Sequence, residues 1–305
     1  MASCETGKLE AAKWLVDHGA DVLAVLLAPG CLGQLLASAA MTRAAAFAHI
    51  DIMRYLYAQA APFTVESGGQ RNTALHEAAI KGHTECVRFI LACGFAIETR
   101  KTDGVTALHM AAEGGRTAVI ELLLDSGADI EAKDDNMHTP LMHAMGVNDA
   151  EAVTQLVTRG AIISDGTAAA FGAKFGSIAA LKALMTSPQW LAMSRTEHLD
   201  AECGLLFRVK DKPTFDAVRS LVLDMSVLVT HRTSEEENAL HYAAQEGRAV
   251  PLICAFIKEG VDPTASNTAG QTPADVAREA GHTLQATLLE RAADDKRKRD
   301  LQQQQ

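Results

Sequence analysis

The chain has 305 residues, of which 48% are hydrophobic but only 5% aromatic, and its formal net charge is −10. A single compact core usually stops growing at ~250–300 residues, so this length favours a chain of repeated units that pack on their neighbours. The acidic balance argues against generic nucleic-acid binding, which needs a basic surface. The six cysteines show neither a CxxC pair nor the paired spacing of a secreted scaffold, which predicts a reducing intracellular compartment.

Residues 22–41 form a continuous uncharged stretch near the N-terminus. Its length would permit a membrane span. However, Pro29, Gly30 and Gly33 interrupt the stretch, and Asp21 precedes it without a basic n-region. We therefore predict neither a membrane role nor a signal peptide.

A four-residue motif recurs at a fixed interval in the middle of the chain. Thr73-Ala-Leu-His76 returns as Thr106-Ala-Leu-His109 and, altered, as Thr139-Pro-Leu-Met142, so the two intervals are equal, at thirty-three residues each. A period of this size is typical of a stacked-repeat solenoid. Each Thr stands where a helix N-cap is expected, and Gly82 and Gly115 end the short helices that follow.

An amphipathic second helix is predicted after each short first helix. Cys86, Val87, Ile90 and Leu91 lie on one apolar stripe, and apolar residues recur one period later. A polar segment then follows, such as residues 128–136, which predicts a projecting hairpin between units. The glycines expected to end the second helices are Gly94, Gly127, Gly160 and Gly260.

The pattern weakens after residue 163 and returns near residue 238. The interval from Thr139 to Thr167 is five residues shorter than the period, which predicts a shortened hairpin. Across residues 187–232 the motif nearly vanishes, although the apolar spacing still allows a helix pair. Two further units open at Asn238 and Thr272.

The C-terminal end is polar. Residues 272–293 carry the charged outer face that a terminal repeat requires. Residues 294–305 have too few apolar residues to fold, so a disordered tail is predicted. The basic run Lys296-Arg-Lys-Arg299 is a candidate nuclear import signal, although such runs are more often solvated helix ends.

These units resemble the ankyrin repeat, which has a Thr-Pro-Leu-His-x-Ala-Ala opening, a Gly-His turn, an apolar second helix and a closing Gly-Ala-Asp. The resemblance implies an all-α solenoid of stacked helix-turn-helix units with short β-hairpin-like connecting loops. It covers residues 1–293 in about nine units, of which the stretch 164–232 is degenerate. The first unit is partial, since its opening would lie before Met1, and residues 39–63 form a divergent second unit.

The recurring His76, His109 and His241 raise the question of a metal site. Stacked helices lie ~8–10 Å apart, whereas zinc ligands lie within ~2.3 Å of one ion. A ladder of one histidine per repeat cannot satisfy that geometry. The resemblance instead implies that each imidazole hydrogen-bonds the Thr side chain and holds the turn. We therefore predict no metal site and no cofactor.

His83 and Cys86 are the best candidate catalytic pair, since they lie three residues apart at a helix start. Both match structural positions of the repeat, the Gly-His turn and the apolar stripe, so we favour packing roles. The chain contains no GxSxG, GxxxxGK[ST], GxGxxG or HExxH motif. We predict that the protein is not an enzyme.

The resemblance also implies where a partner would bind, namely the hairpin tips and the exposed ends of the first helices, which line a concave face. Mapped onto this sequence, the predicted protein-binding residues are Ile80, Lys81, Lys101, Asp103, Glu113, Asp134, Asp135, Asn136, His138, Val147, Glu235, Glu236, Glu237, Gln245 and Glu246.

We therefore expect a monomeric, cytoplasmic interaction module or scaffold that binds a protein or peptide of unknown identity, with no nucleic-acid or membrane partner. An alternative is a targeting or regulatory arm of a larger enzyme, channel or complex. The partial first unit motivates this alternative.

Overall fold

The computed structural model describes residues 41–58, 73–163, 166–193, 205–206, 208–220, 226–230 and 232–303. Within these ranges the regular secondary structure is helical, and turns and extended loops join the helices. The chain divides into two compact units, Met1–Ala161 and Ile162–Gln305. The predicted partial unit and most of the apolar stretch 22–41 lie outside the described residues.

The first unit consists of helix pairs preceded by a helical stretch at residues 41–46. The helices are α1 (Ile50–Ala58), α2 (Ala74–Lys81), α3 (Thr84–Ala92), α4 (Ala107–Glu113), α5 (Thr117–Asp125), α6 (Pro140–Gly146) and α7 (Ala150–Thr158). Helices α2, α4 and α6 pack side by side as an inner layer, and α3, α5 and α7 pack as a second layer with α1 against α3. This arrangement confirms the predicted stack of helix-turn-helix repeats.

Small residues allow the inner helices to approach one another closely. Ala78, Ala79, Ala111 and Ala112 are all completely buried between them. At Gly114 a Cβ atom would lie 2.4 Å from the carbonyl oxygen of residue 80, so only glycine fits there. The second layer contributes larger buried side chains, including Ile90, Val119, Ile120 and Leu123. The inner-layer helices therefore pack closely because their contact residues are small, whereas the second-layer helices pack through larger apolar side chains.

A five-residue turn, here called a finger, precedes each of the inner helices α4 and α6. In the first unit the fingers are residues 101–105 and 134–138, each closed by a backbone N–H from its first residue to the carbonyl of its last, at 2.9 and 3.0 Å. The Asp135 N–H donates to the Asp103 carbonyl at 3.0 Å and joins the two fingers. The fourth residue has positive φ, +76° at Gly104 and +64° at Met137.

The second unit is also built of packed helices, although the repeat motif is degenerate in its first part, residues 164–232. The described helices of this unit are α8 (Thr167–Phe175), α9 (Ile178–Met185), α10 (Pro188–Leu191), α11 (Lys212–Arg219), α12 (Ser226–Thr230), α13 (Ala239–Gln245), α14 (Val250–Lys258), α15 (Pro273–Glu279) and α16 (Thr283–Gln303). Helices α9, α11, α14 and α16 pack in succession as one layer, and α13 packs against α15.

The degenerate stretch retains helices although the motif is lost. Phe215 on α11 is buried and meets Phe256 of α14 edge to face, with ring centroids 5.3 Å apart. Helix α8 begins seven residues after Gly160, whereas α4 begins thirteen residues after Gly94. The shortened connection predicted before Thr167 is therefore present.

The C-terminal segment differs from the sequence prediction. Helix α16 continues through residue 303, so the predicted disorder of residues 294–305 is corrected for 294–303. Ala293 is buried at its centre, and Lys296 forms an ion pair with Asp262. Residues 294–303 are also rich in Lys, Arg and Gln, which have high helix propensity. A prediction from apolar content alone takes no account of this ion pair or of helix propensity.

Glycine substitution is expected to cost more inside a finger than after a helix end. Gly127→Ala, just after α5, should cost ~1–2 kcal/mol because its φ is +90°. The added Cβ would have no atom within 4 Å, so no clash increases this cost. Gly104→Ala should cost at least ~1 kcal/mol more, because its Cβ would also lie 2.8 Å from the Asp135 backbone nitrogen. Urea unfolding of the two variants measures both losses, and equal losses would contradict the tight finger contact.

Candidate functional site

Each buried motif histidine joins the start of its own helix to the next finger. The Thr73 Oγ1 lies 2.8 Å from Nδ1 of His76, and Nε2 of His76 lies 3.1 Å from the Val105 carbonyl oxygen. His109 repeats this with Thr106 at 2.9 Å and the His138 carbonyl at 3.0 Å. The structure thus confirms the predicted Thr–His hydrogen bond.

The hydrogen bonds of His109 also define its tautomer. The Thr106 backbone N–H donates to Nδ1 at 3.2 Å, so Nδ1 is unprotonated and Nε2–H donates to the His138 carbonyl. Burial lowers the pKa of His109 to about 4, although the bond to the His138 carbonyl opposes this shift. Burial likewise lowers the pKa of His76 to about 4. Both imidazoles are therefore neutral near pH 7.

Both residues of the candidate catalytic pair, His83 and Cys86, have structural contacts. The Nε2 atom of His83 hydrogen-bonds the Ala46 carbonyl at 3.0 Å. Cys86 is buried on α3, and burial, with a smaller effect of Glu85, raises the pKa of its thiol to about 11. A thiol with so high a pKa is a poor nucleophile at neutral pH.

Most of the predicted binding residues are accessible in the structure. Ile80, Lys101, His138 and Glu237 are half-buried. The exposed ones are Lys81, Asp103, Glu113, Asp135, Asn136 and Val147 in the first unit, and Glu235, Glu236, Gln245 and Glu246 in the second.

Asp134 is the exception, because its side chain is only 4% exposed. Its Oδ1 accepts the backbone N–H groups of Asn136 and His138 at 2.9 and 2.8 Å, and its Oδ2 lies 3.1 Å from Nε2 of His143. Burial would raise the pKa of Asp134, but these hydrogen bonds hold it below its usual value. The prediction of Asp134 as a partner contact is corrected: it organises the finger.

Residues 41–134 match a family model described as ankyrin repeats, in three copies. The chain therefore contains ankyrin repeats. Repeats of this family generally mediate protein–protein interaction and are typically non-catalytic. In the described part of the chain, no helix combines the length and the apolar character needed to cross a membrane.

His143 was missed by sequence reasoning. It lies on α6 at the position that Met110 occupies on α4, one period earlier. Met110 already faces a finger, since its sulfur lies 4.0 Å from Nζ of Lys101. The repeat register therefore carried a usable signal, because a histidine at this position faces the finger that precedes its own helix, where Asp134 lies.

The neutral histidines predict how stability depends on pH. The pKa of His76 is about 4 in the folded chain, whereas an unperturbed histidine has a pKa of 6.5. The contribution of His76 to stability is therefore complete above pH 6.5 and is lost as the pH falls to about 4. The difference corresponds to about 3 kcal/mol.

His76→Met tests this prediction, because Met142 occupies the same motif position in the third unit. The variant should be less stable at pH 7.5, since its hydrogen bonds are lost. Between pH 7 and 4 it should lose about 3 kcal/mol less than the parent protein. Chemical denaturation at each pH provides the measurement, and identical pH profiles would show that His76 is not held neutral.

Proposed function

We propose that this protein is a non-catalytic interaction module that binds a protein or peptide along its finger face. The finger face is defined here as the fingers 101–105 and 134–138 with the exposed C-terminal ends of α2, α4 and α6. The family match supports this proposal at the level of protein–protein interaction. The exposure of Lys81, Asp135 and Val147 on this face supports the location.

The charges of the face indicate the chemistry of a suitable partner. Asp103, Glu113 and Asp135 are exposed, while Lys101 is half-buried and lies 3.8 Å from Asp103. Negative charge is therefore more accessible than positive charge at this part of the face. A partner segment that carries Lys or Arg among polar residues would complement this surface.

The fingers hold these charges in fixed positions. The Arg100 guanidinium donates to the Gly104 carbonyl at 3.1 Å and to the Lys133 carbonyl at 2.6 Å. Together with the Asp135–Asp103 backbone bond, these contacts join two successive fingers through their backbones. A preformed surface of this kind loses little conformational entropy when a partner binds.

Two matched triple variants test the face. The face variant carries Glu113→Lys, Asp135→Lys and Val147→Lys. The control variant carries Glu85→Lys, Glu121→Lys and Thr154→Lys on exposed positions of the second-layer helices. Both change the net charge by +5, so a general electrostatic effect would act on both equally.

We expect the face variant to bind its partner at least ~10-fold more weakly, and the control variant to bind as the parent protein does. Affinity capture with quantitative mass spectrometry identifies the partner, and titration of the purified pair measures affinity. The thermal midpoints of both variants should stay close to that of the parent. Equal affinity of the face variant and the parent protein would refute the proposed binding surface. Weaker binding of the control variant alone would instead place the binding surface on the second-layer helices.

A further inference from the structure

We propose that Asp134, His138 and His143 form a binding site for a divalent transition-metal ion, with zinc as the expected ion. The finger supplies the first two residues and helix α6 supplies the third. One ligand atom from each residue lies within 4.8 Å of the others. The motif ladder of His76, His109 and His241 does not take part, so the argument against a metal on that ladder does not apply to this cluster.

The donor spacing is close to that of a metal site. Oδ2 of Asp134 lies 3.1 Å from Nε2 of His143 and 3.5 Å from Nδ1 of His138. Ligands bound ~2.0–2.1 Å from a tetrahedral zinc ion lie about 3.3 Å from each other. Two of the three ligand pairs therefore already have the required separation.

The carboxylate is held in place before any ion binds. Its Oδ1 accepts two backbone N–H groups of the finger, which leaves Oδ2 directed toward the two imidazoles. The side chain is 4% exposed, whereas those of His138 and His143 are 34% and 17% exposed. The ion would thus have a fixed anionic ligand and access from the side of the imidazoles.

A second carboxylate lies where a metal-bound histidine needs one. Nδ1 of His143 is 3.6 Å from Oε2 of Glu113, whereas Nε2, the other ring nitrogen, faces Asp134. Histidines that bind metal through one nitrogen almost always donate the other N–H to a carboxylate, a carbonyl or water. Glu113 would therefore orient His143 without binding the ion.

The donor set selects among metal ions. Two imidazole nitrogens and one carboxylate oxygen suit zinc, copper, nickel and cobalt, whereas calcium and magnesium prefer oxygen ligands alone. With three protein ligands, water would complete a tetrahedral site.

The second unit provides the matched variant. Asn267 and Gln271 occupy the finger positions of Asp134 and His138, and Asn267 Oδ1 accepts the N–H groups of Ala269 and Gln271 at 3.1 and 2.9 Å. The double variant Asp134→Asn, His138→Gln therefore keeps the finger hydrogen bonds and removes two metal ligands. His143→Met removes the third and restores the residue found at the Met110 position.

The test is titration of the purified, reduced full-length chain with zinc by calorimetry, and with cobalt by absorption spectroscopy. We expect one ion per chain, with affinity reduced at least ~100-fold in the double variant and in His143→Met, and about 10-fold in Glu113→Gln. His83→Gln, whose imidazole contacts Ala46, serves as a control and should bind like the parent chain.

The cobalt spectrum separates this site from the cysteines, because a thiolate ligand adds strong near-ultraviolet charge-transfer absorption. Such a band, or unchanged affinity in the double variant, would overturn the proposal. Absence of zinc binding by the parent chain would also overturn it and would show that the cluster only pins the finger. None of these outcomes depends on a protein partner, so failure of the metal site and failure of the finger face remain distinguishable.

Discussion

A buried imidazole joins the first two motif helices, α2 and α4, to the finger of the following repeat, and the regular part of the fold depends on this connection. His76 reaches the Val105 carbonyl and His109 reaches the His138 carbonyl. Both carbonyls belong to the last residue of a finger. Because each imidazole is buried and neutral, it can satisfy one acceptor on the finger and hold its own helix N-terminus at once. The spacing between a helix and the next finger is thereby fixed.

This connection uses backbone atoms of the finger, so it does not depend on the side chains that the finger carries. In the second unit, His241 meets the Gln271 carbonyl at 3.0 Å, and the Thr268 N–H donates to the Glu235 carbonyl at 2.9 Å. The same backbone bonds thus recur around different surface residues. Positive φ at the fourth finger position is kept even where glycine is absent, as at Met137 and at Glu236 of the finger 233–237. Surface chemistry can vary while finger geometry does not.

The sequence predicted the repeat well because its signals are local and periodic. The Thr-Ala-Leu-His opening marks an N-cap and a buried imidazole, and both follow from one helix turn. The burial of Asp134 could not be predicted in this way, because the repeat pattern places this residue in a finger, where an exposed side chain is expected. Its burial depends on His143, nine residues later, and on backbone donors of its own turn. The helix beyond Ala293 similarly gains an ion pair between Lys296 and Asp262, which is distant in sequence.

The partner of the second ring nitrogen decides what a histidine contributes to this fold. In His76 and His109 that nitrogen donates to a backbone carbonyl, and burial keeps the imidazole neutral. In His143 the two nitrogens face Asp134 and Glu113, and the side chain remains 17% exposed. Carboxylates on both sides orient the ring, as the proposed metal site requires. One residue type therefore serves repeat geometry at one helix position and, in the proposed metal site, ion binding at the next, because the repeat fixes which acceptors each position meets.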